Sequence, residues 1–129
     1  ITETGRALRA AGLRIIDTIL TSWTEAIANP ISHADPDKRH AMGQLMMLLN
    51  GALEARGKVL VKLNVSADQY EAVLSVLPAA KSPTVAHLAN GGYAIESVVE
   101  KAMINRIIPA LRDAGATDLL EIPISKIIH

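Results

Sequence analysis

Thr4-Gly5-Arg6-Ala7-Leu8 is the stretch of this chain best suited to holding an anion. A glycine placed after a threonine and directly ahead of a helical run lets backbone N–H groups point outward. The start of the helix adds partial positive charge. The Thr4 hydroxyl supplies a further donor and Arg6 a charge-assisted bond, so the pattern suits a phosphate. The same residues also make an ordinary helix start capped by Thr4. A second polar stretch, Lys81-Ser82-Pro83-Thr84, sets two hydroxyls on either side of a rigid proline. It suits a small polar ligand and equally a plain turn.

Other chemistries find little support. His33, His40, His87 and His129 have no ligand-spaced partner, so no metal site is expected. No serine sits in a glycine-flanked elbow, and the chain has no cysteine, which removes thiolate nucleophiles and disulfides. The carboxylates are scattered, and no catalytic residue is assigned. Met42, Met46 and Met47 read as core or as a helix interface. Thirteen basic residues balance thirteen acidic ones, and this neutrality argues against a nucleic-acid partner. No apolar run is long enough to span a bilayer, so no membrane partner is expected, and residence in the cytoplasm fits.

The elements that must position these groups follow from periodicity. The chain has 129 residues, half of them apolar, and its core must be aliphatic: there is no Phe, and the aromatics are Trp23, Tyr70 and Tyr93. Residues 5–14 read as a short helix. Residues 15–29 carry apolar groups on both alternating sets and read as one or two strands buried on both faces, closed by Asn29-Pro30. Residues 31–35 read as a connector. Asp35-Pro36 starts a helix whose apolar residues recur from Met42 to Leu53, with Gly57 as a left-handed cap.

From Lys58 the pattern changes. Lys58–Val65 alternates as a strand, and Ser66 with Gln69 forms a capping box for a helix bearing Tyr70, Val73, Leu74 and Leu77 on one face. Thr84–Leu88 and Tyr93–Val99 read as strands joined at Asn90-Gly91-Gly92. A helix over about 100–114 follows, with Pro109 predicting a kink or an earlier end. A last strand, Leu119–Ile124, contains Pro123 and so belongs at an edge or a bulge. The order β-α-β-β-α-β is the ferredoxin-like arrangement. The expected class is α+β: a ferredoxin-like domain over 58–129, preceded over 1–57 by helix and strand segments that do not close on themselves.

The whole chain resembles the C-terminal part of the ATP phosphoribosyltransferase family in its long form. "ITETGRALRAAGL" is similar to the second half of that family's phosphoribosyl-pyrophosphate loop, with Thr4-Gly5 and Leu8 matching and Ala7 standing where the family usually has Thr. "EAIAN" resembles the strand that returns to the first catalytic subdomain. Asn64-Val65, Leu77-Pro78, Lys81-Ser82-Pro83-Thr84-Val85 and "LRDAGATDLLEIPISKII" are similar to the regulatory domain.

The resemblance implies that residues 1–57 are the end of a catalytic domain and that the chain is a fragment of the longer enzyme. It implies ATP and phosphoribosyl pyrophosphate as that enzyme's substrates, assistance by Mg2+, and assembly as a dimer or hexamer. Thr4, Gly5, Arg6, Ala7 and Leu8 would hold the substrate's 5′-phosphate. Asn64, Ala80, Ser82, Thr84, Val99 and Asp118 would bind L-histidine as feedback inhibitor, between subunits. Two other readings stand beside it: a stand-alone module that senses a small molecule, and an oligomerisation domain without a ligand.

Overall fold

The computed structural model describes residues 5–78 and 82–129. The chain divides into two compact units, Ile1–Asp35 and Pro36–His129. The first contains α1 (Arg6–Ala10) and α2 (Pro30–Ala34). Residues 13–29 form no helix or strand, and their apolar side chains are open: Ile19 is 99% and Ile27 94% exposed. The expected strand over 15–29 is therefore corrected. β-branched residues alternating on both faces read as a buried strand, but a strand needs a neighbour to take its backbone bonds. No described residue supplies one. The connector over 31–35 is corrected as well. Asn29 accepts from the N–H groups of Ile31 and Ser32, and Pro30 holds the first helical position, so α2 forms.

The second unit opens with α3 (Pro36–Glu54), followed by Gly57 at φ 78°, the left-handed position that a glycine takes without strain. Next come β1 (Lys58–Val65), α4 (Tyr70–Val76), β2 (Thr84–His87), β3 (Tyr93–Glu100), α5 (Ile104–Asp113) and β4 (Thr117–Pro123). The strands form one antiparallel sheet in the order β2-β3-β1-β4, the ferredoxin-like topology. The expected α+β class thus stands for this unit. β4 lies at an edge, as Pro123 led one to expect; its register shift falls away from that proline, between the partners of Lys62 and Asn64.

One face of the sheet makes the core. Val59, Val61, Leu63 and Val65 alternate inward along β1, and Ile95 and Val99 join them from β3. Val73 from α4, Leu77 directly after it, and Ile104, Ile107 and Leu111 from α5 cover that face. The tilted rings of Tyr70 and Tyr93 lie 4.5 Å apart at its margin, with the His87 ring 4.9 Å from Tyr93, so His87 is a packing residue here. The turn between β2 and β3 passes close beneath the end of β1: a Cβ on Gly92 would stand 2.6 Å from the Val65 carbonyl oxygen.

Two local expectations are revised. The capping box at Ser66 does not form. Ser66 Oγ lies 3.1 Å from Gln69 Oε1, side chain to side chain, and a 3-10 turn over Ala67–Gln69 precedes α4. α5 does not end early at Pro109 but continues to Asp113. Its amphipathic packing outweighs the one backbone bond that proline removes.

Candidate functional site

The chain carries one candidate site in each unit. In the first, Gly5 caps α1 at φ 65° with no side-chain cap bond. Among the described residues the first backbone bond of this turn runs from Arg9 N–H to the Gly5 carbonyl at 3.0 Å, and the opening N–H groups of a helix have no partner within its own ladder. That is the arrangement an anion needs. Thr4 lies outside the described residues, as does the Arg6 side chain, and Ala7 offers no hydroxyl. Arg9 is a residue the sequence reading passed over. Its guanidinium folds back over the loop, with Nη1 3.3 Å from where a Cβ of Gly5 would stand. Its spacing, four residues from Gly5 and therefore one helical turn, is the signal that could have found it.

In the second unit a cavity of about 630 Å³ opens beside the sheet. Its apolar walls are Leu60, Pro78, Val98, Val99, Met103 and Ile127, and its polar groups include Ser82, Thr84, Ser97 and the carboxylates of Glu96 and Glu100. β2 brings Thr84 opposite Glu96 on the outer face of β3. Glu54, at the end of α3, pairs with Lys58 at the start of β1, and both line the same cavity. Apolar walls with a few convergent polar groups at this size suit a small amphipathic molecule. The excess of carboxylate over ammonium at the rim favours one with a cationic end.

Of the predicted effector residues, Ser82, Thr84 and Val99 meet at this cavity. Asn64 and Asp118 do not. They line a second cleft of about 440 Å³, where Asn64 Nδ2 donates to Asp118 Oδ2 at 2.9 Å. Both clefts touch the same strand: Leu60 lines the first and Asn64 the second. Four residues at roughly 3.3 Å each place them about 13 Å apart. Asp118 has φ 49°, an uncommon conformation for a non-glycine residue, which fixes its carboxylate beside Asn64 and Thr117. In the same cleft the Ser66 hydroxyl and a backbone N–H hold the Asp68 carboxyl below the usual carboxylate range. Ala80 lies outside the described residues. Glu54 and His129 carry no motif, and only the folded chain gathers them with Lys58 and Ile127 around the first cavity.

Fold and cavity together define a ferredoxin-like α+β domain with a ligand-sized cavity opening beside its sheet. Residues 55–126 match the family described as "HisG, C-terminal domain", and the chain belongs to that family. Along its whole length it is also similar to enzymes called ATP phosphoribosyltransferase. It is 46% identical to that of Solibacter usitatus (strain Ellin6076), over 99% of this chain and 45% of the relative. The figures are the same for the enzyme of Pelotomaculum thermopropionicum. For Chlorobium luteolum the identity is 44%, over 99% of this chain and 44% of the relative. The chain therefore spans a little under half the length of the curated relatives it matches.

Proposed function

We propose that this chain serves an ATP phosphoribosyltransferase of the long form as its C-terminal, effector-binding part, and that the effector is L-histidine. The observation that carries the reading is the meeting of Ser82, Thr84 and Val99 at one cavity, in a chain 46% identical to enzymes of that name. In the enzyme as a whole, N1 of ATP displaces pyrophosphate from phosphoribosyl pyrophosphate, in the cytoplasm. No helix among the described residues is long and apolar enough to cross a membrane.

The residues divide the work as follows. The N–H groups at the start of α1, with the Thr4 hydroxyl, hold the 5′-phosphate, and Arg9 adds positive charge above the loop. Positioning and electrostatic stabilisation are what such a loop contributes. No group of three or more His, Cys, Asp or Glu among the described residues is placed to hold a metal ion. Magnesium is commonly held through substrate phosphates with few protein ligands, and no step on these residues is assigned to it. In the cavity, Ser82 and Thr84 bond the polar ends of L-histidine, and Leu60 and Val98 flank its ring.

Asn64, further along β1, and Asp118, beside it on β4, lie too far from this cavity to reach the same molecule within one chain. A second copy that brought its Asn64 and Asp118 to this cavity would complete the site in a dimer or hexamer. Inhibition is then a coupling between two distinct sites through the arrangement of subunits. The open apolar side chains of residues 13–31 support the reading, because a surface of this kind calls for cover by further protein.

An assay of the purified 129-residue chain with ATP, phosphoribosyl pyrophosphate and magnesium tests the division of labour. No phosphoribosyl-ATP is expected. Turnover by a homogeneous preparation would mean that the chain is itself a catalyst and that the assignment to an effector part is wrong.

A further inference from the structure

Residues 126–129 cross the last turns of α3 at one glycine. Gly51 is the one buried residue of that helix. The N–H of Ile127 donates to the Gly51 carbonyl at 2.9 Å, and the same carbonyl accepts from Ala55 within the helix at 3.1 Å. A Cβ on Gly51 would lie 3.0 Å from Ile128 Cγ1 and 3.1 Å from the Ile127 carbonyl oxygen. The segment can come this close because position 51 has no side chain. Beyond the contact, Ile127 and His129 turn to line the 630 Å³ cavity. Glu54, one turn after Gly51, lines it from the helix side together with its ion-pair partner Lys58.

We infer that residues 126–129 form a strap closing one side of the effector cavity, that Gly51 is its latch, and that a ligand in the cavity is gripped through this strap and felt at α3. The inference rests on the reading of the cavity as the L-histidine site, but the latch itself is a separate claim. Ile127 and His129 act as positioning residues. They line the cavity together with Ser82 and Thr84, so the lining is complete only while the strap is docked. Loss of docking opens the cavity without touching the hydroxyls. Because the strap bonds to α3, a ligand that tightens the strap also restrains that helix.

Two substitutions attack the latch from opposite sides. G51A puts a methyl group into the contact, and I127P removes the N–H that reaches Gly51. G43A, in the same helix but with nothing within 4 Å of its added methyl, is the control. Each variant of the full chain would be titrated calorimetrically with L-histidine, and the exchange of individual amides followed by NMR. In the wild type and in G43A the Ile127 amide is expected to be protected, and more so at saturating L-histidine. In G51A the protection at Ile127 should vanish, while Val61 and Val99 in the sheet stay protected in both latch variants. Both latch variants should bind L-histidine at least tenfold more weakly.

Unchanged affinity in G51A with a released Ile127 amide would overturn the strap while leaving the histidine reading intact. If the wild type gives no heat with L-histidine, the histidine reading fails. The exchange data then decide the latch alone: Ile127 protected in the wild type and free in G51A keeps it, and Ile127 exchanging freely in the wild type removes it.

Discussion

The double variant S82A/T84A is expected to bind L-histidine about 30- to 100-fold more weakly than the wild type. Both hydroxyls border the cavity, and both belong to the polar lip that would meet the charged ends of an amino acid. A hydrogen bond of this kind contributes about 1 kcal/mol, and more where its loss leaves a partner unpaired, so two of them account for about 2–3 kcal/mol. Ser82 and Thr84 are exposed and make no core contact. The thermal midpoint of the variant should therefore stay within a degree or two of the wild type. Isothermal titration beside a melting curve separates the two effects. Equal affinity in an equally stable variant would remove the cavity from the account.

A second large effect belongs to the fold. Leu111, on the inner side of α5, is fully buried beneath the sheet. L111A should cost about 3 kcal/mol, the transfer free energy of the lost carbons plus the cavity they leave. For a domain of this size that is a fall of about 12 °C or more in the melting midpoint. Leu120 is the contrasting position: it is 52% exposed on the edge strand β4. L120A should cost under about 1 kcal/mol. Urea or thermal denaturation followed by circular dichroism measures both. An L111A midpoint within a few degrees of the wild type would contradict the assigned core.

Much of the second unit was legible because its local signals agree with one another. Lys58–Val65 alternates strictly, and the structure buries every second residue of it. Val73 and Leu77, and Ile104, Ile107 and Leu111, recur at helical spacing and face the sheet. Asn90-Gly91-Gly92 turns the chain between two strands, with the Gly92 N–H donating to Asn90 Oδ1 at 3.1 Å. Periodicity failed where the cover for an apolar face was not part of the pattern. Residues 15–29 look like a strand by residue type, yet pairing depends on a partner that the segment cannot specify. Asn29-Pro30 reads as the close of that run, yet it is also a capped helix start, and α2 is what forms.

The site was legible in its parts and not in its assembly. Ser82, Thr84 and Val99 line one cavity, because β2 and β3 pair in register from Thr84 opposite Glu96. The separation of Asn64 and Asp118 from them depends on which end of β1 each approaches, and that is a property of the sheet. Gly51 gave no signal at all. A glycine inside a helix reads as a mild defect, and its purpose becomes visible when the path of residues 126–129 is known.

Calorimetric titration of the 129-residue chain with L-histidine tests the central claim most directly. Saturable binding, abolished or strongly weakened in S82A/T84A, is the predicted result. No saturable heat at several temperatures, from a preparation that melts cooperatively, would contradict the assignment of this chain as a histidine-binding effector domain.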